Sequence, residues 1–575
     1  MKSFFPILSW LPDYRKDFFK NDLIAGFTVA VMLIPQGMAY ALLAGLPPIM
    51  GLYAALVPLF VYPFLGTSRQ LSVGPMAMDS LLVAAGISLL AEQGTPDYIM
   101  LAMALALVVG IIQFLMGLMR LGFLVNFLSQ PVINGFTSAA AFIIGFSQVK
   151  HLLRVEFPGS QQIVTVIWRI IQYLPEMHLL TLLLGLGCLA LMLAIKRWRP
   201  TWPGALIVIV ISTFIVWKFD LHGKGVLIVG EVPQGLPSPK IPQMDMDKVL
   251  HMIPIAFTIA LISFMEAVAI AKKIAAQKRY TIDANQELIA LGTGNFFAGF
   301  LGGYPTGGSF SRTAVNVHAG AQTPLASTFN ALAIATTLLF LTPLFYYLPE
   351  AALAAIVIVA VIGLVDVHEP FRLYKIRKED AVVLIFAFFI TLLLGVRNGI
   401  LLSVLLSLII IIRRISRPHV ALLGRIPGTE ILRNPKRAPN AEDIEGLVIF
   451  RIDASLYFAN VSYLQDKIYE SIEQRKSPVK ALIIDASSIN EIDAPAAEAL
   501  VEIAEDLVAQ NIELYFTNVK GPVRDIMKRA GLYQKLGRDH FFFSKKDAVR
   551  HYLGDQPEIP PQTRTDDPEI APEEG

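Results

Sequence analysis

The chain has 575 residues, of which 54% are hydrophobic and only 16% charged, with a mean hydropathy of +0.57. A soluble protein carries an apolar share of ~45–50% with glycine counted in, so this balance excludes an ordinary soluble fold and points to a chain that crosses a membrane several times. The formal net charge of +2 leaves no footprint for nucleic acid, and the single cysteine, Cys188, excludes a disulfide framework or a thiolate metal centre.

Residues 1–21 mix aromatic and charged side chains without the apolar stretch and small-residue cleavage site of a signal peptide, and read as a cytoplasmic segment. From 22 to 415 apolar runs follow one another. A helix needs about 20 residues to cross the hydrocarbon, fewer where it is broken and buried in protein, and the runs between polar or Pro/Gly breaks predict about 14 spans. They lie near 23–44, 49–66, 73–90, 99–119, 123–148, 178–195, 202–217, 251–271, 284–301, 309–320, 324–347, 350–366, 380–396 and 399–412.

Basic residues test the orientation. Even-numbered spans end at Arg69, Arg120, Lys196, Lys272, Lys273, Arg372, Lys375, Arg413 and Arg414, whereas the outside loops 91–97 and 346–350 hold no Lys or Arg. Cytoplasmic loops are the Lys/Arg-rich ones, so both termini are expected in the cytoplasm of a cell with the chain in its inner membrane. Lys150 and Arg154 in "VKHLLRVEF" are the misfit, and "QQIVTVIWRIIQYL" after them reads as an amphipathic helix for the membrane surface.

An even count divides into two halves of seven, and an odd number per half makes the second copy enter from the opposite side, which predicts a 7+7 inverted repeat. Corresponding places in the halves hold "GTSRQLSVGPMAMDS" and "GGYPTGGSFSRTAVN", each glycine- and proline-interrupted, extended first and helical after. Irregular backbone at membrane depth is tolerated where it is buried in protein or lines a wet cavity. A helix starting there leaves its first N–H groups unbonded and carries partial positive charge, so two such helices, beginning after Pro75 and near Ser309, are expected to face an anion. Arg312, one turn into the second, adds a full charge; the competing reading is an interfacial Arg312 or a purely structural pair with Glu266. Glu266 shares a helix face with Ser263 in an otherwise apolar run, and Asp79 lies one turn into the first half-helix. A carboxyl at that depth is protonated, paired or bound to a cation, which makes both acids candidates for coupling to H+ or Na+. His318 reads as structural or interfacial.

The stretch "DLIAGFTVAVMLIPQGMAYALLAGLPPIMGLYAALVPLFVYPFLGTSRQLSVGP", with Pro-Gln-Gly-x-Ala-Tyr at 35–40, Pro-x-x-Gly-Leu-Tyr at 48–53 and Gly-Thr-Ser-Arg at 66–69, resembles the sulfate permease (SulP) family, whose animal relatives include prestin and pendrin. Glu266 and Ser311-Arg312 fit the same pattern. The resemblance implies a polytopic α-helical protein of fourteen spans. A core domain (spans 1–4 and 8–11) moves as an elevator against a gate domain (5–7 and 12–14), usually within a homodimer. It places the anion beside Gln36 and Tyr40 of span one, the backbone around Met76, Ala77 and Met78, and Ser311-Arg312.

After a linker at 416–440, residues 441–553 switch to short β-type runs, "LVIFRID", "ALIIDAS" and "IELYFTNV", with the helical "APAAEALVEIAEDLVAQ" before the last of them. That order predicts a small α/β domain. It resembles the STAS domain that sulfate transporters share with anti-sigma-factor antagonists, and so implies a cytoplasmic protein partner. Antagonists carry a phosphorylatable Ser or Thr where this chain has Asp493-Ala494-Pro495-Ala496, so phosphorylation there is not expected. Ser487 and Ser488 lie earlier, in the loop. Residues 554–575 are acidic and proline-rich, a composition that predicts disorder.

These residues predict a secondary active transporter of a small oxyanion rather than an enzyme, without cofactor or metal: no nucleophile–base set and no metal cluster appears in the membrane part. Sulfate is the family default, with bicarbonate next and dicarboxylates open. An exchanger or channel-like conductance, and an anion sensor that signals through the STAS domain, are the alternatives.

Overall fold

The computed structural model describes residues 4–88, 90–126, 130–155, 157, 162–199, 202–242, 245–475 and 477–554, so the tail expected to be disordered lies, from 555 on, outside the described residues. The chain divides into two compact units, Met1–Ser407 and Leu408–Gly575.

The first unit is helical, and helices occupy each of the predicted places. They are α1 (Lys16–Leu43), α2 (Ile49–Leu65), α3 (Ala77–Ile87), α4 (Pro96–Leu118), α5 (Gln130–Ser147), α6 (Leu179–Trp198), α7 (Gly204–Lys218), α8 (Met246–Lys278), α9 (Ala284–Phe300), α10 (Phe310–His318), α11 (Leu325–Thr336), α12 (Glu350–Ile362), α13 (Lys378–Leu394) and α14 (Val396–Ser416), the last of which runs past Ser407 into the residues of the second unit. Among the described residues, six helices are long and apolar enough to cross a membrane by themselves, those that contain α1, α4, α5, α6, α8 and α11. The amphipathic run forms the helix Ile163–Tyr173, where Val166 alone is buried and Trp168 is 68% exposed, as suits a helix lying in an interface.

Two helices fall far short of a crossing. At 1.5 Å per residue, α3 with 11 residues and α10 with 9 span roughly half of a ~30 Å hydrocarbon layer or less. Extended segments precede both and pair in the interior as an antiparallel ladder of β1 (Val73–Gly74) and β2 (Gly307–Gly308), with Val73 opposite Gly308 and Gly74 opposite Gly307. All four residues are buried. Membrane helices can pack backbone to backbone where small residues meet, and α1 crosses α2 in this way. A Cβ on Gly51 would lie 1.9 Å from the Gly37 carbonyl oxygen. The crossing fixes the stretch of α1 that follows Pro35, a residue that removes one helix hydrogen bond, and carries Gln36 and Tyr40.

The second unit is built on a five-stranded sheet in the order β3-β6-β7-β8-β9. Strands β6 (Leu447–Ile452), β7 (Ala481–Asp485), β8 (Glu513–Thr517) and β9 (Phe541–Phe542) are parallel, and β3 (Val420–Leu422) is antiparallel to β6. One face is covered by α15 (Val461–Glu473), α16 (Ala494–Ala509), α17 (Gly521–Arg529) and α18 (Leu532–Leu536), the other by α19 (Lys545–Leu553). Covered strands lose the alternation of a half-exposed sheet, which is why "ALIID" is buried at every position.

The stretch 416–440, expected to be a linker, holds β3 and the short hairpin of β4 (Gly424–Arg425) and β5 (Leu432–Arg433). A strand of three residues after Pro418 is too short to show a period, so its place in the sheet comes from pairing with β6 rather than from local sequence. At the α16 N-terminus Asp493 accepts from Ala496 N at 2.9 Å and from Phe458 N at 2.9 Å, so a carboxylate caps the helix where antagonists carry their phosphoacceptor.

Candidate functional site

The half-helices meet tip to tip across the β1–β2 ladder. Met76 and Ser309, their N-cap residues, are extended, and neither offers a side-chain cap to the first-turn N–H groups. Those donors and the aligned peptide dipoles place partial positive charge at both tips.

One face of α10 is written against the strand leading into α3. Ser309, Arg312, Thr313 and Asn316 follow the i, i+3, i+4, i+7 spacing of a helix face, and each is bonded to the segment 70–75. Ser309 N donates to the Ser72 carbonyl at 3.0 Å. Arg312 Nη1 donates to the Pro75 carbonyl at 2.8 Å, Thr313 Oγ1 accepts from Ser72 N at 3.0 Å, and Asn316 Nδ2 donates to the Gln70 carbonyl at 2.9 Å. Extended backbone in the interior has its polar groups satisfied by this face, which meets the demand that buried peptide groups be paired.

Arg312 is fully buried, with Nε and Nη2 in no hydrogen bond, and Nη2 lies 3.3 Å from where a Cβ on Gly74 would sit. Tyr40, Tyr304 and Asp79 are within its electrostatic reach. Of the two neighbours expected to line the site together, Ser311 is exposed and hydrogen-bonded to Ser309 Oγ at 3.3 Å, while Arg312 faces inward. Consecutive helical residues point about 100° apart, so one presents a hydroxyl to the open side and the other a charge from behind. Gln36, Tyr40, Met76, Ala77 and Met78 are all buried, and Gln36 Oε1 is unpartnered.

The two acids differ. Asp79 is fully buried with both carboxyl oxygens unpartnered, and a Cβ on Gly307 would lie 3.0 Å from its Oδ2. Glu266 is partly exposed. Among the described residues neither acid forms an ion pair with Arg312, so the structural Glu266–Arg312 pair is absent and Arg312 is held by a carbonyl instead.

Sequence reasoning missed the polar frame behind β2. Asn295 of α9 accepts from Thr306 N at 2.8 Å and Thr306 Oγ1 at 3.0 Å, and donates to the Thr306 carbonyl at 3.0 Å and to Gln113 Oε1 at 2.9 Å. Gln113 in turn donates to Ser263 Oγ at 2.9 Å and to the Ala260 carbonyl at 3.2 Å. Tyr304 is buried and shares a 3.2 Å hydrogen bond with Ser80. The available signal was an Asn and a Gln inside apolar spans, since polar side chains at that depth need partners.

Three comparisons bear on this arrangement. Residues 19–387 match the sulfate permease family and residues 438–548 match the STAS domain. The chain is 40% identical over 566 residues to sulfate transporter 4.1, chloroplastic, of Arabidopsis thaliana, covering 95% of this chain and 82% of that one. It is 34% identical over 540 residues to the probable sulfate transporter Rv1739c of Mycobacterium tuberculosis (strain ATCC 25618 / H37Rv), covering 94% and 96%. Among solved structures, the murine Slc26a9 anion transporter in the inward-facing state superimposes with a TM-score of 0.88 at 28% identity, over 96% of this chain and 94% of that one. The transmembrane domain of the cyanobacterial bicarbonate transporter BicA shares the fold, with a TM-score of 0.59 at 23% identity over 69% of this chain and 98% of that one.

Proposed function

The chain belongs to the sulfate permease family, membrane transporters rather than enzymes, and carries a STAS domain, and from that premise we propose that it moves a small oxyanion across the inner membrane by secondary active transport. The observation that carries the reading is the opposition of two uncapped half-helix tips with a buried, only partly bonded Arg312 behind them. The N–H groups of the two tips and the Ser311 hydroxyl contact the anion. Arg312 contributes its charge through low-dielectric surroundings, where a charge acts more strongly than in water. Gln36 and Tyr40 close the side formed by α1.

Sulfate is the first substrate we assign, with bicarbonate second; the relatives named sulfate transporters support the order. Asp79 and Glu266, within electrostatic reach of each other, take up the coupling H+ or Na+, with no further cofactor. A cation there offsets the incoming anion, so the two load together more readily than either alone. Alternating access follows as an elevator movement of the α1–α4 and α8–α11 core against the rest, in a homodimer with both termini cytoplasmic, surrounded by membrane lipid, and with the STAS domain offered to a cytoplasmic protein partner.

The test is uptake of radiolabelled sulfate, bicarbonate and fumarate into proteoliposomes with and without inward sodium and proton gradients. Gradient-driven uptake of one anion, abolished in Arg312→Ala, supports the reading. Uptake indifferent to both gradients moves the mechanism to exchange, and uptake indifferent to Arg312 removes the site.

A further inference from the structure

A continuous hydrogen-bonded chain crosses the end of the helix bundle where α2 hands over to β1 and α10 to α11. Glu287, near the start of α9 and fully buried, accepts from Tyr62 Oη at 2.8 Å, Thr67 N at 2.7 Å, Thr67 Oγ1 at 2.6 Å and Ser68 N at 2.9 Å. Tyr280 continues it: its hydroxyl accepts from Arg69 N at 3.1 Å and donates to Gln70 Oε1 at 2.9 Å. Gln70 Nε2 donates to the Ala321 carbonyl at 3.2 Å, beside the Asn316 bond to the Gln70 carbonyl at 2.9 Å. Asp22, also fully buried, closes the far end by accepting from Gln322 N at 2.7 Å, Thr323 N at 3.1 Å, Thr323 Oγ1 at 2.6 Å and Tyr14 Oη at 3.3 Å.

Both carboxylates are buried without an ion-pair partner among the described residues, and each is compensated instead by four donors, two of them backbone N–H groups. Several N–H donors hold a buried carboxylate as a charge does, and the loop that supplies them is pinned in return. Glu287 pins the loop that leads into α3, and Asp22 pins the loop that leaves α10. Gln70 is the side chain that joins the two, with Tyr280 fixing its amide.

We propose that Gln70, oriented by Tyr280 and flanked by the Glu287 and Asp22 clamps, is a positioning residue for the anion site: it fixes the separation of the α3 and α10 tips and thereby the affinity for the anion, without touching it. The inference rests on the transport function proposed above.

The experiment measures initial rates of radiolabelled sulfate uptake against concentration for the full chain in proteoliposomes, with the thermal midpoint of each purified variant beside it. The variants are Gln70→Leu, Tyr280→Phe, their combination and Arg312→Ala. KM rises about three- to tenfold in Gln70→Leu and less in Tyr280→Phe, the scale of one or two lost hydrogen bonds, with maximal rate close to that of the parent, while the midpoint falls modestly with the same lost bonds and serves to show that each variant is folded. The double variant exceeds Gln70→Leu alone by no more than the Arg69 N–H bond to Tyr280 contributes, because the rest of both effects runs through one amide. Where Gln70→Leu fails to fold, Tyr280→Phe, which loses a single hydroxyl, carries the test. An unchanged KM with a falling midpoint or maximal rate overturns the proposal and leaves an ordinary structural contact. If Arg312→Ala also transports normally, the transport site itself is wrong, an outcome distinct from Gln70 failing while Arg312→Ala abolishes uptake.

Discussion

Arg312 Nη1 donates to the carbonyl of Pro75 at 2.8 Å, so the cation of one half-helix is tethered to the residue just ahead of the other. The site's full charge is therefore held by backbone from the opposite repeat, not by an acid that would cancel it.

Arg312→Ala leaves the Pro75 carbonyl unpaired and removes the charge behind the two tips. Loss of a charged partner costs about 1.5–3 kcal/mol, or at least tenfold in affinity. Sulfate uptake at concentrations below the parent KM should fall by that factor or more, and Arg312→Lys, a point charge without the planar fork, should recover only part of it.

Gly308→Ala puts a Cβ 2.8 Å from Ala267 Cβ and 2.9 Å from Ala267 Cα, and backbone of α8 cannot step aside as a flexible side chain can. Overpacking of that kind costs about 1–3 kcal/mol. The detergent-solubilised variant should melt earlier and transport poorly, whereas Gly521→Ala in the second unit, whose Cβ meets no atom within 4 Å, should leave both unchanged.

Asn295→Leu keeps the branched outline of the side chain and orphans the Thr306 N–H, the Thr306 hydroxyl and Gln113 Oε1 together. Each unsatisfied buried group costs about 1–3 kcal/mol. A thermal midpoint well below that of a matched lipid-facing substitution such as Phe389→Leu, whose side chain is 55% exposed, is the expected outcome. Equal midpoints would show the frame to be dispensable.

In the STAS domain, burial pushes the His540 imidazole below its ordinary value of 6.5, and the ring stacks on Tyr515 at 5.2 Å. Its folded pKa lies under its unfolded one, so the unfolded chain binds the extra proton. The stabilisation is complete above pH 6.5 and is lost as pH falls from there through the folded value. Unfolding of residues 418–554 should show a midpoint that drops between pH 7 and pH 5.5, and drops less in His540→Gln; parallel curves for the two would refute the assignment.

The membrane fold is legible because apolar length and Gly/Pro breaks report directly on spanning helices, and the two interrupted stretches mark α3 and α10. Arg312 and Asp79 announced themselves by the cost of charge at depth. What stayed hidden depends on partners far along the chain. Nothing local sets Thr313 and Asn316 apart from other polar residues until segment 70–75 is laid against them, and nothing local marks Glu287 as the acceptor that holds Thr67 and Ser68. The pairing of Ser311 outward with Arg312 inward needed the rotation of α10, which no local pattern fixes. In the second unit β3 escaped notice because three residues carry no period.

The β1–β2 ladder joins residues 235 positions apart, Val73 to Gly308. At a synthesis rate of ~5–20 residues per second, α3 is inserted roughly 12–47 s before its partner strand exists. Through that interval its tip and the strand ahead of it have none of the bonds that α10 later supplies. Biogenesis therefore has a waiting step: the first repeat must be sheltered, by lipid headgroups, water or an insertion chaperone, until the second arrives, and truncations placed between 75 and 307 should be recognised as unfinished and degraded rather than accumulate as stable half-proteins.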